Sequence, residues 1–219
     1  MRCDRRVMTV AAWVLGLAAL LAQPAVRAQT EGADYRALVP AQPTSAPPGK
    51  IEVIEFFSYG CPHCAEFYPL VSTWAATLPK DVLFRRVPVG FNRPAWINLQ
   101  RAYFALQASG DLTRLDGKLF QALHEERLPL FEEPALADWV GKNGGDAQKF
   151  TAAYTSFGIN NLTVEADKMS EDYQITGIPT MAVAGKYIAA GDTFTLLLAN
   201  TDKLIAKARA EARTAHAKK

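Results

Sequence analysis

Three side chains between residues 61 and 64 could act chemically at one point: Cys61, His63 and Cys64, with Pro62 after the first. Two thiols this close can close a disulfide, hold a soft metal or exchange disulfides with another chain. The other histidines are isolated. His124, in Leu-His-Glu-Glu-Arg, reads as an exposed helix residue, and His216 as tail. Tetrahedral zinc needs four ligands, usually a second cysteine pair or two histidines at set spacing. Neither accompanies this pair, and Cu(I) on Cys61, His63 and Cys64 would be adventitious. An inert bridge is the other alternative, but one this short closes almost no loop and stabilises little. Redox exchange is therefore the expected chemistry, with no metal and no cofactor.

The elements around the pair support that reading. Ile51–Phe57 (IEVIEFF) is a β-rich, mostly apolar run that suits a buried strand, and Ser-Tyr-Gly then turns the chain. From Cys61 onward, Phe67, Leu70, Val71, Trp74 and Leu78 recur at helical spacing. The pair thus falls in the first turn of a helix. Pro62 fits there because a first-turn N–H has no helical acceptor; Pro69, deeper in, is expected to kink the helix. A helix N-terminus favours thiolate, by about 0.3–2 kcal/mol, against about 1.4 kcal/mol per pKa unit. The dipole alone accounts for roughly one unit. A larger depression needs local donors, His63 and the Cys64 N–H. Stabilising the thiolate makes the disulfide more oxidising.

The chain has 219 residues, 49% hydrophobic and 21% charged, enough for one substantial core or two small ones. Residues 1–28 read as a cleaved secretory signal: Arg2, Arg5 and Arg6, an apolar stretch from Val7 to Ala22, and a small-residue site ending at Ala28. A membrane anchor is the alternative, disfavoured by Pro24 and the small-residue end. Without Arg2, Arg5, Arg6 and Arg27 the Lys plus Arg count falls from 24 to 20, and without Asp4 the acids fall from 22 to 21. The mature chain is then about −1, which removes electrostatic support for nucleic-acid binding. Cys3 leaves with the signal, so a single cysteine pair serves an exported protein, unlike a disulfide-stapled mini-domain. Residues 29–50 are polar and Pro-rich and read as an extended, mobile lead-in, with the globular fold beginning near Ile51.

IEFFSYGCPHC, followed far downstream by GIPTMAVAGKY, resembles the DsbA family of periplasmic thiol:disulfide oxidoreductases over residues 51–215. The resemblance implies an α/β thioredoxin fold interrupted by an all-helical domain: residues 51–93 and 176–219 for the thioredoxin parts, 94–175 for the insertion. The pattern accommodates this. Trp96, Leu99, Tyr103 and Leu106 share one helical face, and Leu112, Leu115, Leu119 and Leu123 another, as core rather than cofactor pocket. Phe150, Tyr154 and Phe157 mark a further helix, and the last runs from about Leu162 to Tyr173. Thr180–Val183 and Lys186–Ala190 look like a hairpin across Ala184-Gly185, with a closing helix from Thr195 to about Arg213.

The same resemblance implies the site. Cys61 and Cys64 form the redox pair, and His63 holds the Cys61 thiolate. Pro62, Ile178 and a cis Pro179 meet the substrate, Ile178 pairing its backbone with an extended peptide. Glu55, in the strand beneath the helix, is the implied proton acceptor for Cys64; the alternative is a glutamate on a solvated strand face beside Glu52. Tyr68 departs from the family pattern, standing where the best-known members carry an acid. The implied partners are reduced, unfolded secreted proteins and a membrane quinone-linked reoxidant of the DsbB type, with a periplasmic monomer as the expected form. Rivals are an isomerase or reductase, for which the dipeptide and the short N-terminal segment are unsuited, and a non-catalytic peptide-binding chaperone using the Ile178 groove.

Overall fold

The computed structural model describes residues 29–217; the expected signal peptide, residues 1–28, lies outside them. Strand β2 (Ile51–Phe57) is buried along its whole length and sits inside a five-stranded sheet. A strand covered on both faces needs a continuous apolar run, which this segment supplies apart from two glutamates. β2 pairs in parallel with β3 (Val82–Pro88) and antiparallel with β4 (Thr180–Val183). Parallel neighbours need a crossover, and helix α1 (Pro62–Ala76) provides it, continuing through Pro69. β4 turns into β5 (Tyr187–Ala189) through Ala184 and Gly185, at φ 54° and 65°. Lys186 completes the three-residue connection, its N–H donating to the Val183 carbonyl at 3.0 Å, and the two left-handed residues match the twist of the strands. A Cβ on Gly185 would lie 2.1 Å from the Gln42 carbonyl oxygen, so no larger residue fits that corner.

That contact belongs to a segment expected to be mobile. Instead, β1 (Tyr35–Ala37) adds to the outer edge of β5, and the sheet order is β1-β5-β4-β2-β3. The Leu38 N–H donates to the Lys186 carbonyl at 2.7 Å and the Gln42 N–H to Gly185 at 2.8 Å. An open β5 edge presents unpaired backbone groups that a passing segment can satisfy, and burial of Tyr35 and Leu38 adds an apolar reason. The fold therefore begins before Ile51.

Between β3 and β4 lie five helices: α2 (Pro94–Ser109), α3 (Leu112–His124), α4 (Glu133–Lys142), α5 (Ala147–Tyr154) and α6 (Phe157–Asp172). Their apolar stripes meet one another. Leu99, Leu106, Leu115, Leu119, Leu136 and Phe150 are fully buried there, each burial contributing about 1.5–3 kcal/mol. Phe157 is not part of the α5 stripe; it opens α6 and is 77% exposed. The break comes at Ser156, whose hydroxyl accepts from the Ile159 N–H and starts the new helix. Helix α7 (Phe194–Ala217) closes the sheet, packing Leu197, Leu204 and Ile205 with Val53, Phe67 and Val71. Leu70, expected on the buried face of α1, is exposed.

Side-chain alternation splits β2 between two cores. Ile51 and Val53 face α1 and α7, whereas Ile54 and Phe56 face Ala166 and Tyr173 on the α6 side. Glu55 shares the face of Val53, which is the face under the cysteine-bearing helix.

Candidate active site

The strand-to-helix turn sets the dithiol geometry. Cys61 is the N-cap of α1, with extended backbone, and Pro62 takes the first helical position. Both cysteines are free thiols; Cys61 is 5% exposed and Cys64 is fully buried. The Ile178–Pro179 bond is cis, and the Cys61 thiol lies 3.7 Å from the Ile178 carbonyl oxygen. A segment 117 residues away in sequence is thus held against the more accessible sulfur.

The two thiols are driven apart. Cys61 is lowered to about 6, first by the hydrogen bond from the Cys64 thiol and then, against the opposing effect of burial, by the backbone N–H groups of Cys64 and His63. The His63 charge is the smallest of these contributions. The weight expected of His63 thus falls on the Cys64 thiol and then on the helix's own N–H groups; the His63 ring is 73% exposed and lies 3.6 Å from Glu66. Cys64 moves far upward, through burial and then through its donation to Cys61 and the negative charge there. A proton therefore stays on Cys64 while Cys61 carries the charge.

Beneath the helix, Glu55 is fully buried, which excludes the solvated-face alternative. Its Oε2 accepts from Arg86 Nε at 2.6 Å, and Arg86 Nη1 donates to Asp116 on α3 at 2.7 Å. Asp116 also accepts from the Tyr59 hydroxyl at 2.5 Å. Burial raises the Glu55 carboxyl and Arg86 opposes it. Glu55 Oε1 has no hydrogen-bond partner among the described residues. Arg86 also stacks on Phe57, 3.7 Å from the ring centroid. Tyr68, the departure from the family pattern, packs on Phe120, and a Cβ on Gly117 would strike it at 2.8 Å. An aromatic here forces a glycine on the facing helix. Gly60 is constrained likewise: a Cβ there would lie 2.5 Å from the Trp96 indole nitrogen.

Beside the thiols, α1 and α3 border a groove of about 580 Å³, lined by Pro62, Ala65 and Tyr68 on one side and by Phe120, His124 and Glu125 on the other. His124 is half-buried rather than exposed, and its Nε2 lies 2.7 Å from the Tyr59 carbonyl oxygen. Sequence reasoning passed over Arg86, Asp116, Trp96 and this histidine as parts of the site. Asp116, Phe120 and His124 do share one signal, a spacing of four along α3 that puts all three on one face. Among the described residues no cluster of three or more His, Cys, Asp or Glu is placed to hold a metal ion.

A reduced pair at a helix N-terminus, faced by a cis-proline loop and flanked by a helical insertion, has clear relatives. The model of the DSBA-like thioredoxin domain matches residues 52–200. The chain belongs to that family. It is 40% identical over 205 residues to the thiol:disulfide interchange protein DsbA of Bordetella pertussis, covering 91% of this chain and 95% of that one. It is 38% identical to the DsbA of Burkholderia cepacia over 87% of this chain and 89% of that protein. The crystal structure of Pseudomonas aeruginosa DsbA superposes with a TM-score of 0.80 at 37% identity, covering 84% of this chain and 97% of that one. The DSBA-like fold, a thioredoxin sheet with a helical insertion, is therefore that of this chain.

Proposed function

We propose that this DSBA-like chain is a protein dithiol oxidase that donates the Cys61–Cys64 disulfide to newly exported, unfolded proteins in the periplasm. The observation that carries the reading is the asymmetry of the pair: a low-pKa thiol at a helix N-terminus, the more exposed of the two, a wholly buried high-pKa thiol behind it, and the Ile178 carbonyl beside the first.

The steps follow from that asymmetry. A client thiolate attacks Cys61 Sγ of the oxidised protein; the Cys61–Cys64 bond breaks, and the electron pair leaves on Cys64. Cys64 takes up a proton, which its buried surroundings favour, and Glu55 Oε1, unpartnered below the helix, is suited to pass one on through water. A second client thiolate then attacks the client sulfur of the mixed disulfide. Cys61 departs as a thiolate stabilised by the Cys64 thiol and the N–H groups of Cys64 and His63. The client has lost two electrons and the protein has gained them. Pro62, Ile178 and Pro179 border the attacked sulfur, and the Ile178 backbone offers an edge to an extended client. A membrane quinone-linked partner of the DsbB type reoxidises the monomer, and no cofactor enters the exchange.

Incubation of the oxidised protein with a reduced, unfolded secreted chain tests this directly. One client disulfide should form per protein reduced, Cys61→Ser should abolish it, and Cys64→Ser, its Cys61 first converted to a mixed disulfide with glutathione, should exchange glutathione for client and accumulate the client mixed disulfide on Cys61. Client folding that persists with both cysteines replaced would instead identify a peptide-binding chaperone.

A further inference from the structure

We infer that His124 is a positioning residue of the redox centre, through which helix α3 of the insertion holds the turn that precedes Cys61. A carbonyl oxygen only accepts, so at 2.7 Å from the Tyr59 oxygen the His124 Nε2 must carry the proton and donate it. Tyr59 is buried and gripped at three points by one face of α3. Its hydroxyl donates to Asp116, its ring meets Phe120 with centroids 4.8 Å apart, and its carbonyl accepts from His124.

The gripped turn is continuous with the thiols. The Cys61 N–H donates to the Ser58 carbonyl at 3.1 Å, and the Ser58 backbone opposes the rise that burial imposes on the Cys64 thiol. Fixing Tyr59 therefore fixes the Cys61 N-cap against the start of α1, whose Cys64 and His63 N–H groups serve the Cys61 sulfur. Asp116 and Phe120 would anchor the tyrosine side chain without His124, but the carbonyl on the chain segment leading to Gly60 and Cys61 has no other partner among the described residues. Released, the turn lets Cys61 shift relative to the Cys64 and His63 N–H groups, and the reduced pair loses stabilisation relative to the disulfide.

The test compares full-length mature protein with His124→Phe, which keeps the ring and removes the donor, and His124→Gln, which offers an amide N–H at similar reach. Each is equilibrated with reduced and oxidised glutathione, the Cys61 thiolate is titrated by ultraviolet absorbance, and thermal unfolding is recorded. His124→Phe should shift the equilibrium constant at least threefold toward the disulfide and move the Cys61 titration upward. His124→Gln should stay within about twofold of the parent, following the general strength of a single hydrogen bond. A parent-like His124→Phe, or equal shifts in both variants, overturns the inference. If His124→Phe does not fold, imidazole nitrogen NMR of the parent decides: a dominant Nδ1–H tautomer at neutral pH contradicts it. This inference concerns how the dithiol of the proposed oxidase is held. A strongly reducing parent would sink the oxidase reading while leaving the comparison between variants intact.

Discussion

Strand β2 carries two buried acids three residues apart, and only one of them lies under the dithiol. Glu52 and Glu55 are both almost wholly buried, and each pairs with an arginine of β3: Arg85 at 2.9 Å and Arg86 at 2.6 Å. An odd separation along a strand sends them to opposite faces. Glu52 meets the Ser45 hydroxyl and an arginine that is 30% exposed and touches Met169. Glu55 meets an arginine only 9% exposed, tied onward to Asp116 and capping the Phe57 ring. The same residue pair thus serves as a bolt at one end of the strand and as part of the redox floor at the other. Burial and pairing do not distinguish the two acids; the face each occupies does.

The largest predicted difference is in stability. Glu55→Ala leaves the Nε of a buried arginine without its carboxylate, with Asp116 still holding Nη1, and should cost about 3–5 kcal/mol. Glu52→Ala lets Arg85 turn to water and should cost about 1–2 kcal/mol, mainly for the lost hydrogen bonds. Denaturant unfolding of both would show the gap, and equal losses would erase the distinction. The two ends also differ in steric tolerance. Gly60→Ala drives a methyl into Trp96 and should cost about 1–3 kcal/mol, recovered in part by adding Trp96→Ala. Gly49, at φ 83° with nothing within 4 Å, should cost about 1 kcal/mol as alanine, from backbone conformation alone.

The reduced protein also carries a pH effect that the oxidised protein lacks. Its Cys61 is lowered to about 6 in the fold, below the ~8.5 of a free thiol in the unfolded chain. The resulting stabilisation is complete above the unfolded value and is lost as pH falls through about 6. Melting of the reduced form relative to the oxidised form should therefore fall between pH 8.5 and 5. A constant offset would remove the thiolate from the account. The subtlest contrast is kinetic: Glu55→Gln should slow thiol exchange at Cys64, whereas Glu52→Gln should leave it unchanged.

Much of the strand, helix and cysteine geometry was legible because local chemistry specifies it: an apolar run for a covered strand and proline at a helix start. The Ile-Pro-Thr loop was legible only through the family resemblance. Glu55 could be placed in that strand, but its partner could not, because Arg86 and Asp116 come from β3 and α3 and meet only when the insertion docks. β1 was hidden for another reason. Three residues give too little alternation to read, and β5, which they complete, is elsewhere in the chain. His124 looked exposed because its neighbours Glu125 and Glu126 are, while the spacing of four with Asp116 and Phe120 pointed inward.

The central claim is that this fold stabilises the reduced pair and so makes an oxidant. The reduction potential of Cys61–Cys64 in the mature protein, equilibrated against glutathione, tests it most directly. A value well above the roughly −270 mV of thioredoxin is predicted; a value at or below it would contradict the account.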